Sequence, residues 1–127
     1  MSTASNIPAV LLPATLLREI TVTEITPELS SMYPIIGCDI VERVALAPAY
    51  HAAIWVDEEG LLKDAPINLR ASCIAGRPIH GDAILAGEDA ECNIVPLLLD
   101  CPSLFFKSVE EEVANLLMEA LTAYEAK

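Results

Sequence analysis

A chain of 127 residues, 54% hydrophobic and 20% charged, is long enough for one domain with its own core and too apolar to be disordered. Its 19 acidic against 7 basic residues give a formal charge of −12, which repels phosphate and argues against direct nucleic-acid binding through a basic groove. An acidic mimic of DNA stays open, although much of the charge sits in Asp57-Glu58-Glu59 and Glu110-Glu111-Glu112, where a turn and a helix start account for it.

Residues 1–7 are small and polar, which predicts a disordered start. MSTASNIP carries no basic residue, and Pro8 and Pro13 bracket a run too short for a membrane span, so neither a signal peptide nor a membrane anchor is expected. Ala9 to Leu12 reads as a first strand. The β-branched stretch Leu17 to Ile25 reads as a second, paired with it as a hairpin in which Pro13 favours an edge position.

Thr26-Pro27-Glu28 predicts a helix start with Thr26 as N-cap, kept short by Pro34 and Gly37. Asp39 to Leu46 reads as a strand ended by Pro48. Glu42 falls on its more apolar face, which predicts a sheet edge or a basic partner. Ala52 to Val56 makes the next strand. Asp57-Glu58-Glu59-Gly60 predicts a turn with a positive φ at Gly60. Asn68 is the expected N-cap of a helix over 69–75, with Gly76 as its stop.

Ile79 to Ala86 reads as a strand in which Gly81 marks a bulge or a close backbone approach. Asn93 to Phe106, broken by Pro96 and Pro102, reads as a strand end or loop followed by a short helical turn. Ser108-Val109-Glu110-Glu111 has the form of a capping box. Behind it Val113, Leu116, Leu117, Ala120, Leu121 and Tyr124 recur at helical spacing and predict an amphipathic C-terminal helix over 108–125. Its apolar stripe is expected to pack on one face of the sheet; the alternative is a partner-binding surface. Together these elements predict a single α+β domain over 1–127: a curved, mainly antiparallel sheet of about five strands with two short helices and a longer C-terminal helix.

Motifs with catalytic chemistry are scarce. Cys38, Cys73, Cys92 and Cys101 contain no C-x-x-C, which indicates neither a zinc site nor a disulfide framework; free, mostly buried thiols in a reducing cytoplasm are expected. His51 and His80 fall in different elements, so a nucleophilic pair of Cys38 or Cys73 with His80 would have to form in space. No phosphate-loop or EF-hand spacing occurs, and no cofactor or metal is expected.

One ligand reading remains. Asn68, Arg70 and Arg77 bracket the 69–75 helix, with Tyr50, His51 and Trp55 in the adjoining strand region. In so acidic a chain two arginines there could receive an anionic ligand such as a nucleotide phosphate. The competing reading pairs both arginines with nearby carboxylates.

The central stretch resembles a small domain-of-unknown-function family found mostly in phages and actinobacterial mobile elements. The family's V-[ND]-E-[ED]-G-x-L turn corresponds to Val56, Asp57, Glu58, Glu59, Gly60 and Leu62. Its next motif corresponds to Pro66, Asn68, Ala71 and Ser72, and its last to Ile79, Gly81, Asp82, Leu85 and Gly87. Upstream, Gly37-Cys38-Asp39-Ile40-Val41 stands where Gly-Gly-Tyr-Ile-Glu is usual. Glu42 cannot replace the missing acid, because a one-residue shift moves it to the opposite face of the strand.

The resemblance covers roughly residues 9 to 90 and supplies no catalytic residues to carry over. It implies a phage-type accessory protein acting in the host cytoplasm. With the charge and the motifs, the expected function is a non-enzymatic binding or interaction module, a homo-oligomer engaging a host protein. A nucleotide-like small-ligand binder and an acidic DNA mimic are the alternatives.

Overall fold

In a computed structural model, residues 6–47, 50–97 and 102–125 are described. Strands β1 (Ile7–Leu12), β2 (Thr21–Ile25), β3 (Val41–Ala45), β4 (Ala52–Asp57) and β5 (Ala83–Glu88) form one antiparallel sheet in the order β2-β1-β5-β4-β3. A sixth, β6 (Ile94–Val95), pairs with the far end of β5. The expected hairpin is β1 with β2, in the register Ile7 to Ile25 and Leu11 to Thr21. It is β2, not β1, that takes the sheet edge. The fold is α+β.

Both faces of the sheet are buried, because β1, β4 and β5 carry apolar residues at consecutive positions. Val10, Leu12, Ile54, Val56, Ala83 and Leu85 pack on one side with Ala71 of α2 (Leu69–Ala75) and Val109 of α3 (Pro102–Glu125). Ala9, Leu11, Trp55, Ile84 and Ala86 pack on the other with Met32, Ile35 and Ile36, from a 3-10 turn (Leu29–Met32) and the four-residue α1 (Tyr33–Ile36). No helix among the described residues is long and apolar enough to cross a membrane.

Several local expectations are corrected. Thr26 caps no helix: the first turn starts at Leu29, and Ser31 Oγ ties the corner by donating to Thr26 O and Glu28 O. Gly60 is not a positive-φ residue; a Cβ there would stand 2.9 Å from His80 O, so the close approach of two backbones selects glycine. Gly81, at φ 84°, lies in the turn before β5 and not within a strand.

α3 begins at Pro102, six residues ahead of the expected start, which leaves Ser108 inside the helix and not at its cap. Of the expected disordered start, residues 1–5 lie outside the described residues, and Ile7 already opens β1. The expected strand end at Pro48 and the burial of Cys101 also fall outside them. Cys38 is buried and Cys73 half-buried, but Cys92 is exposed on a turn residue at φ 65°.

Candidate functional site

The expected ligand residues are best followed from α2. Asn68 is its N-cap, in extended backbone, with Oδ1 accepting from Ala71 N–H at 3.0 Å. Its Nδ2 donates to Leu12 O at 2.7 Å and Gly81 O at 2.9 Å, and the residue is fully buried. Three of its hydrogen bonds thus join β1, α2 and the turn before β5. Asn68 has no side-chain polar atom left facing solvent, and its hydrogen bonds hold the fold.

Arg70 is also buried, at 2% exposure. Its guanidinium clamps Glu110 of α3 through Nε at 2.7 Å and Nη2 at 2.8 Å, while Nη1 donates to Pro13 O and Thr15 O. One side chain therefore ties the β1–β2 loop and α2 to the base of α3. The bidentate hydrogen bonds from Arg70 hold the Glu110 carboxyl below its usual range. Of the two sequence readings for Arg70, pairing with a carboxylate is the one the structure contains.

Arg77 has a different setting. It is half-exposed and stands 3.6 Å from Glu42 on the edge strand β3, beside a depression of about 130 Å³ lined by Asp57, Glu58, Gly60 and His80. Glu42 thereby has both the edge position and the basic partner expected of it. The aromatic side of the expected pocket is not brought to these residues. Trp55 packs in the core on the sheet face opposite α2, and Tyr50 and His51 lie at the other end of β4 from the Glu42–Arg77 pair. Asn68, Arg70 and Arg77 do not converge on one cavity.

Two hollows beside the sheet meet at His51, a position that the sequence reading placed only beside the expected ligand residues. Clefts of about 340 and 450 Å³ share His51, Glu88 and Asp89 in their walls. His51 is held at φ 50°, a conformation that costs a non-glycine residue about 1 kcal/mol, and its carbonyl accepts from Glu88 N–H at 2.8 Å. The carboxylates are already engaged. Glu88 takes two bonds from Arg43, at 2.6 and 2.5 Å, which lower its pKa and raise that of Arg43. Asp89 accepts from the backbone of Asn93 and Glu91, which also holds its pKa down. This wall is a set of mutually satisfied pairs.

The thiols face a comparable constraint. Burial pushes both Cys38 and Cys73 up, so the thiolate that a nucleophile needs is disfavoured. His80 places Nδ1 3.1 Å from Ala65 O. Among the described residues, no group of three or more His, Cys, Asp and Glu is arranged to hold a metal ion.

α3 departs most from expectation. Val109 and Val113 are buried at 5% and 4%, but no described side chain beyond Val113 is buried. Leu116, Leu117 and Leu121 are 42%, 45% and 50% exposed. Helical spacing puts them on the side that Val109 and Val113 use to reach the core. The expected packing of this whole stripe on the sheet is therefore corrected: only its first half packs. The distal half extends past the body with the same face uncovered. Tyr124 shares that register, but its side chain lies outside what is described. The signal was present in the sequence as the stripe itself; only the place where the body ends was missing.

Against known proteins, the family model for a domain of unknown function, DUF3846, matches residues 9–110, and the chain belongs to that family. The match closes on Glu110, the partner of Arg70, and leaves the exposed half of α3 outside it. No curated protein matches the chain. Among solved structures, the chain is similar to part of one described as the crystal structure of small RNA methyltransferase HEN1, with a TM-score of 0.56 and 23% identity over 68% of this chain. The chain spans only 13% of that protein's length, so the likeness is one of fold.

Proposed function

We propose that this member of the DUF3846 family is a non-enzymatic interaction module whose contact element is the distal half of α3. The observation behind the reading is the uncovered row Leu116, Leu117 and Leu121, which continues a face buried at Val109 and Val113. A soluble domain that exposes contiguous apolar side chains on a projecting helix carries a surface for another molecule. The rest of the chain supports this division of labour. Asn68 joins β1, α2 and the turn before β5, Arg70 anchors the base of α3, and the polar groups beside His51 satisfy one another.

The test is proximity labelling in the native cell, comparing the wild-type chain with Leu117→Glu/Leu121→Glu. Both positions are about half-exposed, so the double variant keeps its fold by thermal unfolding. A defined set of neighbours lost in the variant, and rebuilt from purified components, is the expected result. Identical sets for the two chains would overturn the reading.

A further inference from the structure

We infer that the distal half of α3 takes a basic amphipathic segment of another protein, and not a second copy of this chain or an anionic surface. The inference rests on the interaction reading above and names the chemistry of the partner. Leu116, Leu117, Ala120 and Leu121 form the exposed strip, and carboxylates border it. Glu112 and Glu119, seven residues apart, fall on one border of the strip, and Glu125 lies one turn beyond Leu121 on the other. All three are exposed. Glu110, also at the near end, is held by Arg70 and takes no part, and Glu111 falls on the opposite side of the helix.

Charge selects among occupants. Two copies would bring the same glutamates together on chains of formal charge −12 each, which opposes pairing through this strip. Size points the same way: twelve helical residues from 114 to 125 extend only about 18 Å. That strip is short of the roughly 800 Å² per partner of a stable complex between globular surfaces. It suits one helix laid along another through anchors at i, i+3, i+4 and i+7. A partner with apolar anchors and flanking Lys or Arg meets the leucines and the glutamates at once.

The experiment uses the full chain and labelled synthetic peptides followed by fluorescence anisotropy. The probe is an amphipathic helix of about 18 residues with leucines at the anchor spacing and lysines elsewhere. One control keeps the leucines and replaces lysine with glutamate; another keeps the lysines and replaces leucine with serine. The Leu/Lys peptide is expected to bind saturably, roughly tenfold tighter than the Lys/Ser control, with no binding of the Leu/Glu control. Binding should weaken in about 0.5 M salt and in Glu112→Gln/Glu119→Gln. It should fall about tenfold or more in Leu117→Glu/Leu121→Glu.

Equal binding of the Lys/Ser peptide, or undiminished binding by the leucine variant, would overturn the inference, because net charge alone would then explain the affinity. A dimer seen by sedimentation and dissolved by Leu117→Glu/Leu121→Glu would also overturn it, by making a second copy the occupant. The interaction reading would survive that result. Failure of every peptide overturns the partner class, and the interaction reading then stands or falls on the labelling comparison.

Discussion

The two halves of α3 share one helix and one apolar register yet have opposite surroundings. From Pro102 to Val113 the helix lies on the body: Phe105, Phe106, Val109 and Val113 face it, and Arg70 grips Glu110. From 114 to 125 the same register faces open space. A stripe at 3.6-residue spacing thus states which side of a helix is apolar, but not how far the covering layer reaches. Propensity and backbone bonds carry the distal turns, whereas packing and the ion pair of buried Arg70 with exposed Glu110 carry the base.

If the base is the anchor, the largest loss should come from Arg70→Met. It strands the buried Pro13 O, removes one of the donors to Thr15 O and leaves Glu110 without its clamp, at a cost of about 3 kcal/mol in urea unfolding. A change under about 1 kcal/mol would mean that α3 is held by its apolar contacts, Phe105, Phe106, Val109 and Val113, and not by the ion pair. Asn68→Ala should follow at roughly 2 kcal/mol, since it removes a helix cap and unpairs two carbonyls, Leu12 O and Gly81 O.

Gly87→Ala probes the strand layer away from both halves of α3. A Cβ there would stand 2.6 Å from Pro96 O and 2.8 Å from Val95 O, both backbone atoms, so β5 or β6 must shift. Overpacking of this kind costs about 1 to 3 kcal/mol, read as a lower Tm. Little change in Tm would mean that β6 yields freely.

Acid sharpens the comparison further. Arg70 depresses the folded-state pKa of Glu110, so the stability this pair contributes is present above the usual carboxylate value of 4.5. It is lost as the pH falls below that value through the depressed one. Unfolding free energy of the wild-type chain should therefore drop more steeply below about pH 4.5 than that of Glu110→Gln. Parallel pH profiles would show that the pair contributes nothing through ionisation. The smallest effect belongs to the distal half: Leu117→Glu/Leu121→Glu should change stability by about 0.5 kcal/mol per site or less. A loss comparable to that of Arg70→Met would show that the distal face is covered after all.

Much of the strand layout was legible because alternation and β-branched runs report directly on pleated, buried backbone. β1, β4 and α2 with its Asn68 cap and Gly76 stop fall close to where the residues place them, whereas β2 keeps only Thr21–Ile25 of the expected Leu17 to Ile25. Thr26 and Ser108 misled for a common reason. A residue that can cap a helix does so only where the chain turns, and at Thr26 the corner is tied by Ser31, while at Ser108 the helix is already under way. The arginines at the two ends of α2 look equivalent along the chain. Arg70 points into the core beside Ala71, whereas Arg77 stands past the Gly76 stop at the surface.

By itself the sequence determined the α+β class, the antiparallel pairing of neighbouring strands, the α2 cap and the amphipathic character of the last helix. These are written in local periodicity and in side chains that act on their own backbone. Tertiary structure alone decided that both sheet faces are covered, that Arg70 spends its charge on Glu110, and that α3 outruns the body at Val113. Each of those depends on residues far apart in the chain meeting in space, Arg70 and Glu110 being 40 residues apart. Local chemistry states what a side chain can bond, and the fold decides what stands within reach of it.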